Sequence, residues 1–485
     1  MRVALIYPHY GHKVFNENLS LVDREFGRFP YISYGYVARC IKEWGGDVRL
    51  FDAMATGIGY EETFRRVKEY NPDLLGFAAH SAQTLPDTIA WAKRMKADSG
   101  LPILVGGYEA GRYSAEIMHH SCFDYLCTGQ AQGFMSPFLD AFQKRGDFKS
   151  VPGLVYRSGE NVVSSSVPAG RIAFNDFGVP DRSIFDHSAY YSHVSQRRNF
   201  TIGVSSHGCP YGCSFCCMAN TGHDAKSAEQ VFAEIQDCYQ NYNIREIDWF
   251  DPLMFLQKRR IVDICERIQA AKMDLYWSAR TRADTLIDSA SGQIDEKFIE
   301  TLASSGCKRL FIGIESGDQD VLQNINKGLR TRDLHKLFSS LRAHGIRVLG
   351  FFMIGNPGET AATVRKTVAL AKSLPIDYAQ FSITLMKPDT QLSAQYMVPA
   401  IGFDYWREFI KGTVVERVLP SPWTRLRREE QERMAYWAYV SFYFRPTMIA
   451  RSLRRVESFA ELGKYARVAA KILMRYIVGF FKRTN

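Results

Sequence analysis

The stretch HGCPYGCSFCCMAN, residues 207–220, places four of the chain's ten cysteines within nine positions, Cys209 to Cys217. It follows the strand-like run NFTIGVSSHG. The spacings Cys209-x3-Cys213-x2-Cys216 put three thiols on one tight loop. A structural zinc site closes with four ligands, usually through a second Cys or His pair at comparable spacing, and none follows here. The trio is incomplete for a closed site. Cys217 would lengthen the second interval if it replaced Cys216, and it reads as a neighbour directed to the core.

Outside this cluster the chain is ordinary in composition. At 485 residues it is too long for one core, so two or three domains are expected. Apolar residues make up 46% and charged residues 23%, which suits a globular protein. The aromatic share of 13% fits pockets for flat or apolar ligands, as well as large cores and interfaces. No apolar stretch approaches the roughly 20 residues of a membrane span. Met1 and Arg2 lead straight into VALIYP without a signal-peptide profile. A cytoplasmic protein is expected, where Cys40, Cys122, Cys127, Cys238, Cys265 and Cys307 read as small buried hydrophobes rather than disulfides.

The net charge of +10 is concentrated at the end of the chain. Residues 445–485 hold ten Lys or Arg against Glu457 and Glu461, a net +8. Ile472, Leu473, Tyr476, Ile477, Phe480 and Phe481 recur at helical spacing beside Lys471, Arg475, Lys482 and Arg483. That pattern suits either a terminal helix docked on its own protein or a basic helix in peripheral contact with a membrane. No nucleic-acid partner is expected.

Over residues 1–145, apolar runs near 2–6, 48–52, 74–79, 102–106 and 124–127 alternate with amphipathic stretches. Five strand-helix units predict an α/β doubly wound parallel sheet of the flavodoxin-like kind. Ligands of such sheets lie beyond the carboxyl ends of the strands. Small or special residues stand there: Pro8 and Tyr10 after the first strand, Ser81 and Thr84 after the third, Gly106 and Gly107 after the fourth, Gly129 after the fifth. Residues 146–195 read as a Gly-, Ser- and Pro-rich linker with a small hairpin. Beyond the cysteines, EIDWFD, DLYWSART, RLFIGIE, VLGFFMIG and YAQFSITLM recur with helices between them, which predicts a partial (β/α)6 barrel over 196–400. Residues 401–485 read as a helical C-terminal region.

Three cysteines are what a 4Fe-4S cluster needs if one iron is to stay open for a small-molecule ligand, unlike the four thiolates of a ferredoxin. The trio resembles the signature of the radical S-adenosylmethionine enzymes, in which that ligand is S-adenosylmethionine. The resemblance makes Cys209, Cys213 and Cys216 the cluster ligands. It makes Phe215, Asp251, Arg282, Glu315, Gly355 and Pro357 contacts of the amino, carboxylate, ribose or adenine groups. The segment KPDTQL, 387–392, resembles the family's Pro-Gly-Thr turn with Asp389 in place of glycine.

The arrangement LLGFAAHSAQT, LPILVGGYEAG, FDYLCTGQAQ resembles the cobalamin-binding domains that precede many of these enzymes. It implies that Pro8, Tyr10, Ser81, Thr84, Gly106, Gly107 and Gly129 line a cobalamin. The Asp-x-His-x-x-Gly element that supplies a cobalt-ligating histidine in relatives is missing, so the cofactor would be held without its base and without that histidine. His9, His12 and His80 read as ordinary loop residues. Gly129, Gln130, Ala131 and Gln132 stand where many relatives have Gly-Glu-Gly-Glu, which leaves open a degenerate domain that binds nothing. The resemblance covers about residues 1–400. The remainder is similar, less specifically, to the helical region of enzymes related to the anaerobic porphyrin-ring cyclase and to bacteriochlorophyll and hopanoid methylases.

What the resemblance implies is a one-electron cleavage of S-adenosylmethionine to a 5'-deoxyadenosyl radical, with an electron donor such as flavodoxin or ferredoxin. A cobalamin-borne methyl group would then pass to a carbon of a small hydrophobic or tetrapyrrole-like substrate. A second reading keeps both cofactors but performs a cyclisation, rearrangement or oxidation. A third is a non-catalytic cofactor-binding regulator. No general acid or base is assigned from the sequence.

Overall fold

Strand β1 (Arg2–Tyr7) is buried without interruption from Val3 to Ile6, so both of its faces must be covered. The computed structural model, which describes residues 1–10, 27–144, 146–288, 291–414, 419–453, 470 and 474, supplies that cover with helices on either side. β1 pairs in parallel with β2 (Asp47–Asp52) and β3 (Leu74–Ala78), and the sheet continues through β4 (Ile103–Gly106) and β5 (Tyr125–Cys127). The order β2-β1-β3-β4-β5 is the flavodoxin-like one. It reverses direction between β1 and β3, which opens a crevice at their carboxyl ends.

The helix Tyr60–Tyr70 shows how these layers form. Tyr60, Thr63, Val67 and Tyr70 make one buried stripe at helical spacing, with Glu61 and Glu62 in the first turn and Lys68 in the last. Asn71, in the left-handed region, ends it. The hairpin expected in the linker, β6 (Leu154–Ser158) and β7 (Asn161–Ser164), pairs antiparallel with β5 and extends the same sheet.

A second sheet contains β8 (Phe200–Gly203), β9 (Glu246–Trp249), β10 (Tyr276–Thr281), β11 (Cys307–Glu315), β12 (Arg347–Ile354) and β13 (Tyr378–Ile383). All six are parallel and follow one another in chain order, as a partial (β/α)6 barrel requires. Helix Arg428–Tyr443 covers the edge at β13. Tyr439 Oη accepts from the Phe381 amide at 3.1 Å, and Tyr443 Oη accepts from the Ala379 amide at 3.0 Å. These tyrosines satisfy backbone groups that an open edge would leave bare.

Residues just past the barrel belong to the other core. Leu392, Met397, Tyr405, Trp406, Phe409 and Ile410 pack with Ile89, Tyr113 and Ile117 of the N-terminal sheet's helices. Arg407 pairs with Glu116 at 2.6 Å, and His120 Nε2 bonds Ile410 O at 2.7 Å.

The two sheets are also tied by a buried ionic knot. Arg182, Lys226 and Glu234 have fully buried side chains, with Glu234 2.6 Å from Arg182 and 2.9 Å from Lys226. Lys226 Nζ also donates to Tyr36 Oη at 2.8 Å, and Arg182 to Thr201 Oγ1 at 2.9 Å. Burial pushes the Glu234 carboxyl up, but the two cations outweigh it and hold the group below the ordinary carboxylate range. Among the described residues no helix is long and apolar enough to cross a membrane. The basic helix expected over 471–483 falls almost entirely outside the described residues, and His12 lies outside them too.

Candidate active site between the two sheets

The cysteine loop leaves the barrel just after β8 and is pinched shut at its base. Ser206 and His207 pair antiparallel with Ala225 and Asp224. Gly208 has φ +78, and a Cβ there would stand 2.4 Å from Gly222 O, so only glycine allows the two arms to close. Asp251 secures this base from below. Its carboxylate accepts from Ser205 N, Ser205 Oγ and Ser206 Oγ, each at 2.6 Å, and it is fully buried. The carboxylate read from the sequence as a ligand contact is thus engaged by the loop's foundation.

Within the loop, backbone bonds run from Cys216 N to Cys213 O and from Ala219 N to Cys216 O. Ser214 N donates to Ile325 O, and Asn326 Nδ2 to Gly212 O at 2.7 Å, fixing the loop to the segment after β11. Cys213 is buried, while Cys209, Cys216 and Cys217 are half-buried. Burial raises the Cys209 thiol and pushes that of Cys216 up to about 11. Cationic help is at hand. Arg282 Nη1 lies 3.6 Å from Cys213 Sγ, with its guanidinium 3.8 Å over the Tyr211 ring. Asp284 and the Lys327 carbonyl, 2.8 and 2.7 Å away, hold Arg282 in that pose.

Among the described residues no group of three or more His, Cys, Asp or Glu could hold a single metal ion. Three thiols on one loop, beside a fixed cation, fit a cluster whose irons each take one thiolate. Cys209, Cys213 and Cys216 would hold it, leaving one iron for a ligand.

The carboxyl ends of the later strands supply the rest of the rim. Glu315, at φ +69 after a register shift in β11, is a non-glycine residue in the left-handed region. Its carboxylate pairs with the nearly buried Lys327 at 2.8 Å. Gly355, at φ +86, lies in the left-handed region where a side chain is strained, and Gln431 Oε1, 2.6 Å from its Cβ position, would also have to move aside. Its carbonyl accepts from Trp423 Nε1 at 2.7 Å. Glu359, buried, caps this turn by accepting from the Gly355 and Asn356 amides at 2.5 and 3.1 Å. Burial pushes its carboxyl up to about 8. Pro357 is half-buried beside it and accepts from Asn324 through its carbonyl. Phe215 packs against both the barrel core and the core shared with the N-terminal sheet.

On the facing sheet, Ser81, Thr84, Gly106, Gly107 and Gly129 form a partly exposed rim at the carboxyl ends of β3, β4 and β5. Gly107 adopts φ +113, with the Ala79 carbonyl 2.9 Å from where a Cβ would be. Pro8 and Tyr10, just after β1, are buried. Tyr7, Tyr10 and Tyr31 surround His80, with ring centroids 4.8 to 5.7 Å away. His80 is therefore a packed residue, and burial pushes it down to about 4. Its nitrogens meet Tyr10 Oη at 3.4 Å and Thr84 Oγ1 at 3.2 Å. Gly129 is covered from one side, since Ala169 Cβ lies 2.6 Å from its Cβ position, and Gln130 clamps Ile172 through two hydrogen bonds. Small, partly exposed residues along a crevice at a switch point fit a bulky, flat cofactor. His9 is exposed.

The sequence did not point to Tyr211, Asp284 or Lys327, whose roles come from tertiary pairing around Arg282 and Glu315. Nor did it point to the packed state of His80.

Residues 204–371 match the family described as the radical SAM superfamily, and residues 27–136 match the B12 binding domain. An uncharacterized methyltransferase of Pyrococcus horikoshii is 27% identical over 433 residues, spanning 87% of this chain and 90% of that protein. The anaerobic magnesium-protoporphyrin IX monomethyl ester cyclase of Rubrivivax gelatinosus is 22% identical, over 84% of this chain and 72% of that protein. The cobalamin-dependent S-adenosylmethionine radical enzyme OxsB, solved with aqua-cobalamin bound, superposes with a TM-score of 0.67 at 16% identity, covering 99% of this chain and 72% of that chain. A three-thiol loop on a six-stranded parallel half-barrel, preceded by a flavodoxin-like sheet, is accounted for by these matches: the chain is an enzyme with a radical SAM domain over 204–371 and a B12-binding domain over 27–136, and the cofactors that these domains imply are a 4Fe-4S cluster, S-adenosylmethionine and cobalamin.

Proposed function

We propose that the enzyme transfers a methyl group to a carbon centre of a small hydrophobic molecule held between the two sheets. The observation that carries this reading is that Phe215 of the thiol loop packs against both the barrel core and the core behind the rim at β3, β4 and β5, while Leu392 N donates to Ser214 O and Trp423 Nε1 to Gly355 O from residues of that second core. When bound, the cluster supplies the electron that cleaves S-adenosylmethionine, and the cobalamin supplies the methyl carrier.

The protein's own residues bind, orient and exclude water. Arg282, steered by Asp284, sets a positive charge beside Cys213. Glu315 with Lys327, the Gly355 turn, Pro357 and Phe215 shape the site for the nucleoside and methionine moieties. Asp251 acts one layer below, by holding the loop's base. Ser81, Thr84, Gly106, Gly107 and Gly129 would face the cobalamin, with Pro8 and Tyr10 buried just after β1. A flavodoxin or ferredoxin would supply the electron.

The name of the Pyrococcus relative supports methyl transfer, while the Rubrivivax cyclase supports a second reading in which the same cofactors drive ring formation. Incubation of the reduced, cofactor-loaded enzyme with methyl-labelled S-adenosylmethionine and candidate substrates separates them. Product heavier by one CH2 unit and carrying label is expected. Unlabelled product, formed with stoichiometric 5'-deoxyadenosine, would overturn the methylase reading in favour of the second.

A further inference from the structure

The KPDTQL turn stands out because its aspartate occupies a glycine-like conformation. Asp389 has φ +54, in the left-handed region where a side chain is disfavoured. Its carboxylate forms an ion pair with Arg112, which lies on the loop after β4. The Asp389 side chain is 47% exposed, and pairs in such a setting add little to the stability of a fold. Local stability alone does not explain the arrangement.

Both ends of this pair are anchored to cofactor loops. On one side, Arg112 reaches Glu109 at 3.4 Å and lies 5.1 Å over the Tyr108 ring. Glu109 is buried and accepts from the Ala82 amide at 3.3 Å, in the loop that carries Ser81 and Thr84. On the other side, Thr390 caps the helix Gln391–Ile401, and Leu392 N donates to Ser214 O between Cys213 and Cys216. One continuous path therefore runs from the rim at β3, through Glu109, Arg112 and Asp389, to the cysteine loop.

We propose that the Arg112–Asp389 pair is a latch that positions the cobalamin-side loops against the cysteine loop and slows the exit of the bound corrinoid. This rests on the proposed function above. Asp389 and Arg112 are positioning residues, acting through the loops they join.

The test uses the full-length protein, reconstituted with iron and loaded with hydroxocobalamin. Release of the corrinoid on dilution is followed by absorbance for wild type, Asp389→Gly, Arg112→Gln and the charge-exchanged pair Arg112→Asp with Asp389→Arg. Asp389→Gly relieves the backbone conformation, so its thermal midpoint should equal or exceed that of wild type, which separates latch from fold. Each single variant should release the corrinoid about tenfold faster, and the exchanged pair should recover to within about threefold of wild type, as a direct ionic contact requires. Release at the wild-type rate from both single variants, or no recovery in the exchanged pair, overturns the latch.

Amide hydrogen exchange on the unloaded protein gives an independent readout. Asp389→Gly should speed exchange in 106–113 and 387–393 together, and a change confined to its own loop overturns the proposal. If the wild type takes up no corrinoid, the functional reading fails on that ground, and the exchange experiment alone decides the latch.

Discussion

Replacing Glu234 by glutamine tests how the two sheets are held in register. The carboxylate sits 2.6 Å from Arg182 and 2.9 Å from Lys226, and all three side chains are fully buried. Glu234→Gln keeps the shape but leaves two buried cations without a counter-charge. Lys226 would retain Tyr36 Oη and the Gly178 carbonyl, and Arg182 would retain Thr201 Oγ1 and the Ile202 carbonyl. Breaking a buried pair in this way costs about 3–5 kcal/mol. The expected result is a loss of that size in isothermal urea unfolding followed by tryptophan fluorescence, with about 1 kcal/mol or more regained when Lys226→Met is added. The sign with pH follows from the lowered carboxyl: the contribution is whole above the ordinary carboxylate range and fades only as pH falls through the lower folded value. A loss below about 1 kcal/mol, the size of an exposed pair, would mean that the two cations do not depend on Glu234.

Other outcomes follow from the site. Cys213→Ala should lose most of its iron after reconstitution, whereas Cys217→Ala should retain it; equal loss in both, read by chemical iron analysis, would mean the ligand set is misassigned. Glu359 is raised to about 8, so stability should fall as pH rises from about 4.5 through 8, by at most about 1.4 kcal/mol per unit. Glu359→Gln should flatten that slope in urea titrations at pH 6 and 8.5, and an unchanged slope would contradict it. Tyr443→Phe removes one hydroxyl that both donates to and accepts from Ala379, at 2.9 and 3.0 Å. A cost of about 1–2 kcal/mol, with faster amide exchange along β13, is expected, and exchange at the wild-type rate would argue against edge capping.

The strands and their order were legible in the sequence, because buried runs such as VALIY and LLGFA alternate with amphipathic helices at regular intervals. The cysteine loop was legible too, since three thiols at x3 and x2 spacing just after a strand suit a 4Fe-4S cluster with one iron left open. Asp251 lay at the expected strand end, but its three serine hydrogen bonds depend on a loop folding back, which no local pattern announces. Gly129 showed its freedom of approach without showing that Ala169, forty residues on, would occupy the space. The split of residues 385–414 and 419–443 between two cores was equally hidden, because Trp406 and Tyr439 both read as apolar helix positions whichever sheet they cover. Asp389 was visible as a departure from glycine, yet its partner Arg112 lies far away in the chain.

Iron and cobalamin content after anaerobic purification and reconstitution shows whether the thiol loop and the facing rim each hold their cofactor. About four irons and one base-off cobalamin per chain, by chemical iron analysis and absorption spectroscopy, is the predicted result. Four irons with no cobalamin, even when it is supplied in excess, would contradict it, because the rim at β3, β4 and β5 would then hold no methyl carrier.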